Sequence, residues 1–95
     1  MAAASKKQTR NIIGDRVKKA RLSHNPALTQ DQLSGKVASE GIQLDRVAIA
    51  KIESGLRCAF DFEVKALAAA LDVDAKWLLG INNSAADGRV QKRKA

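Results

Sequence analysis

The chain is expected to fold as an all-α domain of five short helices. Apolar residues recur three or four positions apart in successive stretches, the spacing that puts them on one face of a helix. Residues that cap or stop helices punctuate those stretches, with Thr29, Asp45, Asp61 and Asp74 as openers and Gly41, Gly55 and Gly80 as stops. No alternating run of β-branched residues persists long enough to signal a strand. With 95 residues, the chain has room for one domain with a modest core. Only Phe60, Phe62 and Trp77 are aromatic, so Leu, Ile, Val and Ala must do most of the packing.

The first helix is expected over Arg10 to Ser23, with Ile13, Val17 and Ala20/Arg21 as its inward stripe. Arg21 on that stripe needs a partner, because an unpaired buried guanidinium is costly. Asn25 and Pro26 break the helix, since proline fixes φ and lacks an amide hydrogen. Leu28 anchors the approach to the second helix, which Thr29 caps. Gln32 three residues on completes a capping box, Leu33 and Val37 share the buried face, and Gly41 supplies a left-handed stop. A connector, Ala38 to Leu44, leads to Asp45, the cap of a third helix over 46–54. Ala48, Ile49 and Ile52 form the apolar stripe of that helix and Gly55 ends it. After a loop from Leu56 to Ala59, Asp61 is the expected cap of the fourth helix, with Val64, Leu67, Ala68 and Leu71 turned inward. Asp72 occupies the turn that follows, Asp74 caps a fifth helix over Ala75–Leu79 whose Trp77 and Leu78 or Leu79 complete the core, and Gly80 closes the domain.

Two short capped helices, the second closed by E-S-G, form a helix-turn-helix pattern between Thr29 and Gly55. T-Q-x-x-L-S, I-A-K-I-E-S-G, A-L-A-A-A-L-D-V and W-L-L-G, in that order from about Ile12 to Gly80, resemble the lambda-repressor-like helix-turn-helix family of phage Cro and repressor proteins and XRE-type bacterial regulators. Ser34 stands where that family usually has Ala. The connector is several residues longer than the tight turn of the phage repressors. The resemblance implies a lambda-repressor-like DNA-binding domain, and it pairs Arg21 with Glu53 as a structural salt bridge. It also implies a dimer surface formed by the loop after the third helix and the end of the domain, here Leu56 and Arg57 with Trp77 and Ile81.

Charge points to the same class of partner. The net charge is +7. Lys6, Lys7 and Arg10 contribute +3, and Arg89, Lys92, Arg93 and Lys94 less Asp87 contribute another +3, leaving +1 between. Residues 1–9 read as a disordered basic arm, 10–81 as the domain and 82–95 as a flexible basic tail. Such ends either solubilise the chain or touch nucleic-acid phosphates. One cysteine, Cys58, allows no internal disulfide, and with the single histidine, His24, it cannot build a tetrahedral zinc site. There is no phosphate-binding glycine loop and no nucleophile–base pair at motif spacing, so neither an enzyme nor a cofactor is expected. Nothing resembles a secretory signal or a membrane span, and the expected location is the cytoplasm.

The face of the third helix opposite its apolar stripe carries Arg46, Val47, Ala50 and Lys51. In a helix-turn-helix this helix enters the major groove, so these four are the expected base contacts. Arg46 offers a bidentate fork to guanine, Val47 an apolar contact to a thymine methyl, and Lys51 a reach to guanine or phosphate. Gln30, Gln43, Asp45 and Arg57 are the expected phosphate contacts, and Lys36 is a weaker candidate. The expected function is a sequence-specific regulator of transcription, a repressor rather than an activator because no second domain is present. It would bind double-stranded DNA as a homodimer, with no membrane and no small-molecule ligand. The alternative is an antitoxin-like protein-interaction module with secondary DNA binding. RNA binding is disfavoured, because exposed aromatics for base stacking are not expected.

Overall fold

The computed structural model describes residues 9–81, and the basic segments expected as arm and tail lie outside them, apart from Thr9. Among the described residues the chain is all-helical, with α1 (Gly14–Ser23), α2 (Gln30–Ser39), α3 (Arg46–Ser54), α4 (Asp61–Leu71) and α5 (Ala75–Leu78). None of these helices is long and apolar enough to cross a membrane.

Local chemistry accounts for most of the boundaries. Thr29 Oγ1 accepts from the Gln32 amide at 3.0 Å while Gln32 Oε1 accepts from the Thr29 amide at 2.9 Å, the reciprocal pair that starts α2. Asp45 Oδ1 accepts from the Ala48 amide at 2.8 Å and Asp74 Oδ1 from the Lys76 amide at 2.9 Å. Gly55 ends α3 at φ 80°, and Asp72 ends α4 at φ 63°, the left-handed conformation for which Asp substitutes at some cost.

Three boundaries differ from expectation, the smallest difference being at α5, which ends at Leu78 rather than Leu79. α1 begins at Gly14 rather than Arg10, because Asn11 Oδ1 accepts from the amides of both Ile13 and Gly14, at 3.0 and 2.8 Å, and so caps the helix from outside it. α4 begins at Asp61 itself, with Phe60 in the cap position. Glu63 Oε1 accepts from the Phe60 amide at 3.0 Å, so Glu63 and not Asp61 satisfies that end.

One core joins all five helices. Ile13 and Val17 of α1, Leu33 and Val37 of α2, Ile49 and Ile52 of α3, and Leu67 and Leu71 of α4 are buried together, with Leu44 from the connector and Trp77 and Leu78 from α5. α1 packs on α3 and α4, α2 packs on the same two, and α5 closes against α4. Arg16 spans α1 to α5, donating to the Trp77 carbonyl at 2.8 Å with its guanidinium 4.9 Å from the indole ring.

The long connector is fixed rather than loose. Leu44 is 2 % exposed, and its carbonyl accepts from Ser34 Oγ at 2.7 Å, so the hydroxyl ties the end of the connector to α2. An alanine at position 34 could not make that bond.

Close approach between α1 and α3 depends on Gly14. A Cβ there would overlap the Ile52 carbonyl oxygen and lie 2.9 Å from that of Glu53, both backbone atoms. Gly14→Ala therefore requires the two helices to separate. It should destabilise the domain by about 1–3 kcal/mol, the usual cost of overpacking, read as a lowered thermal midpoint.

Candidate nucleic-acid interface

The exposed side of α3 is positioned by a buried polar network at its other end. Arg21 Nε donates to Glu53 Oε2 at 2.6 Å and Arg21 Nη2 to Glu53 Oε1 at 3.0 Å. The third nitrogen, Nη1, donates to the Leu28 carbonyl at 2.8 Å, and the Arg21 carbonyl accepts from the Leu28 amide at 3.0 Å. Gln30 Nε2 completes the set with a bond to Glu53 Oε1 at 3.0 Å. The two charged side chains are only 10 % and 5 % exposed. The network thus joins the end of α1, the approach to α2, its first residue and the last turn of α3. Charges so buried are tolerable because both are multiply hydrogen-bonded.

A second clamp holds the same end of α3. Asn11 Nδ2 donates to the Ile52 carbonyl at 3.0 Å and to the Arg57 carbonyl at 2.8 Å, while the Arg10 amide donates to the Gly55 carbonyl at 2.9 Å. Sequence reasoning missed Asn11. The available signal was an amide side chain three residues before a glycine that opens an amphipathic stretch.

Against that anchored end, the outer face of α3 is open. Arg46, Val47 and Lys51 are exposed and Ala50 is half-buried, so these four share the side turned away from Ile49 and Ile52. Arg46 lies near Asp31 of α2, with Nε 3.8 Å from Oδ1. A groove along this side is lined by Arg10, Val47, Lys51, Leu56 and Arg57 among others, which adds Arg10 to the cations that border α3.

The residues expected to touch phosphate divide. Gln43 and Lys36 are exposed. Gln30 is half-buried, with its amide nitrogen already bonded to Glu53. Asp45 uses its carboxylate to cap α3, accepting from the Ala48 amide, and carries no side-chain donor for a phosphate. Arg57 is already engaged within the domain. Its Nη1 and Nη2 pair with the two oxygens of Glu63 at 2.8 and 3.1 Å, and Nη1 donates to the Cys58 carbonyl at 2.9 Å, so the fork faces the domain's own carboxylate. Hydrogen bonding from Arg57, opposed by burial, holds the Glu63 carboxyl below its ordinary value of 4.5, and the same bond raises Arg57.

The residues expected at a dimer surface divide as well. Leu56 and Ile81 are 67 % and 70 % exposed, whereas Trp77, at 3 %, is a core residue with no face to offer a second copy. Its indole is needed to seal α5 onto the core. The expectation of no exposed aromatics is overturned: Phe60 and Phe62 are both about half exposed, their ring centroids 5.5 Å apart.

Comparison with protein-family models, with curated proteins and with solved structures yields no match to this chain.

Two outcomes test the polar anchors. Arg21→Ala leaves the Glu53 carboxylate buried without its cation and should cost about 3–5 kcal/mol in chemical denaturation. For Glu63 the folded pKa is depressed, so its contribution is fully present above the unfolded value of 4.5 and disappears as pH falls through the folded one. Thermal midpoints of the native chain and Glu63→Gln should therefore differ at neutral pH and converge as pH drops below about 4.5.

Proposed function

We propose that the protein is a sequence-specific double-stranded DNA-binding regulator of the helix-turn-helix type, with α2 and α3 as its two helices and α3 as the one that enters the major groove. The observation that carries this reading is the asymmetry of α3. One side is locked into the core and the Arg21–Glu53–Gln30 network, while the opposite side presents Arg46, Val47, Ala50 and Lys51 without using them for packing. A rigidly held helix with a cation in its first turn and another about a turn later suits reading base edges, where a small displacement loses the hydrogen bonds.

Arg46 supplies the fork for guanine, Val47 the apolar contact, and Lys51 a second cation along the groove. Arg10, Gln43 and Lys36 are the side chains free to approach phosphates, which need donors or positive charge rather than the carboxylate of Asp45. A single helix of nine residues reads few base pairs, so two copies on a two-fold site are proposed. Leu56 and Ile81 are the apolar residues available for that contact. Repression is the mode of action this reading favours, by occupancy of the site.

The test is selection of bound duplexes from a random pool, followed by affinity measurement across salt concentrations. The selected site should contain two half-sites about 34 Å apart, and affinity should fall steeply as salt rises. Arg46→Ala should weaken binding to that site by about 1–3 kcal/mol and relax the preference at one base pair. Binding that shows no site preference, or a preference unaffected by Arg46→Ala, would remove the assignment of α3 as the reading helix.

A further inference from the structure

Asp31 is not needed to cap the helix in which it stands, although its charge lies in the first turn, where the helix dipole favours it. The start of α2 is satisfied by Thr29 and Gln32, which cap each other's amides, and Gln30 beside them is turned to Glu53. Asp31 points to the other side, 77 % exposed, with its Oδ1 3.8 Å from Arg46 Nε on α3. Arg46 itself is 63 % exposed, so neither burial nor core packing holds the long side chain in one place. The pair crosses between the two helices at the edge where α3 begins.

The edge of the guanidinium that Asp31 approaches decides what this pair can do. A guanine is read through the two parallel donors of an arginine fork to O6 and N7. With the carboxylate alongside Nε, the terminal edge made by Nη1 and Nη2 stays available for those donors. We propose that Asp31 is a positioning residue for DNA recognition: it steadies the Arg46 fork from its Nε side and so sharpens the preference for guanine at one base pair. The inference rests on the DNA-binding reading above and adds a specificity role on the neighbouring helix, outside the reading helix itself.

The physical trade has two opposite signs, which makes it measurable. An exposed carboxylate near the duplex opposes phosphate binding, so removing its charge raises affinity for any sequence. Removing the support of the fork raises the rotamer entropy that Arg46 must give up on reading its base, which lowers the advantage of the cognate site. A carboxylate acting only as bulk charge changes cognate and random affinities together and leaves their ratio alone.

The experiment uses the full chain, the duplex selected by the native protein and a random-sequence duplex of equal length. Asp31→Asn should raise affinity for the random duplex and lower the cognate-to-random ratio about two- to fivefold, the range expected for an exposed ion pair. Repeating the selection should show the guanine preference relaxed at the position that Arg46→Ala also relaxes. In the Arg46→Ala background, Asp31→Asn should leave the ratio unchanged, and Asp31→Glu should restore part of the preference in the native background. The melting midpoint of Asp31→Asn should fall only slightly, through loss of one first-turn charge, since Thr29 and Gln32 retain the cap. An unchanged ratio, or an equal fall with and without Arg46, overturns the inference while leaving DNA binding by α3 in place. A native chain that selects no duplex overturns the reading beneath it, and the positioning role with it.

Discussion

The ion pair between Arg21 and Glu53 is the constraint to which the rest of the domain answers. The guanidinium, at the end of α1, spends its three nitrogens on Glu53 and on the Leu28 carbonyl, and Glu53 takes a further donor from Gln30. Two charges in a nearly dry setting are strongly directional, because any rotation of α3 would leave one of them unpaired. Apolar contacts from Ile49 and Ile52 hold α3 against the core but tolerate sliding. The polar network fixes its rotation, and therefore which side chains face outward.

The opposite requirement, close approach, is met by small residues. α1 reaches the last turn of α3 because Gly14 has no Cβ, and Asn11 then stitches the approach with bonds to the carbonyls of Ile52 and Arg57. Gly55 serves twice: its φ of 80° ends α3, and its missing side chain leaves room for Thr9, whose Cγ2 would lie 2.7 Å from a Cβ. The segment leading into α1 is thereby brought alongside the open face of α3. That is why Arg10 borders the groove with Lys51.

Electrostatics sorts the cations near that groove into two kinds. Arg57 is neutralised by Glu63, which is buried and held in its ionised form by the pairing. It works as a strut between the loop after α3 and the start of α4. Among the described residues Arg46 has the exposed Asp31 as its ion-pair partner, a contact well screened by solvent. The two arginines are indistinguishable by composition, yet one is structural and the other is available.

What the sequence by itself determined is the set of helices and most of their ends. A capping box spans three residues, a left-handed stop concerns one, and an apolar stripe repeats every three or four, so all can be read locally. Thr29, Asp45, Gly55 and Asp74 act where such reading puts them. The burial of Arg21 was legible as well, because a charge on an apolar stripe requires a partner, although its partner came only with the family resemblance. Tertiary structure alone decided the roles of Asn11, Gly14 and Arg57. Asn11 bonds to carbonyls 41 and 46 residues away, and Gly14 is constrained by backbone from another helix. The fork of Arg57 turns inward because folding presents it with Glu63. Each role depends on which atoms meet across the fold, and spacing along the chain carries no information about that.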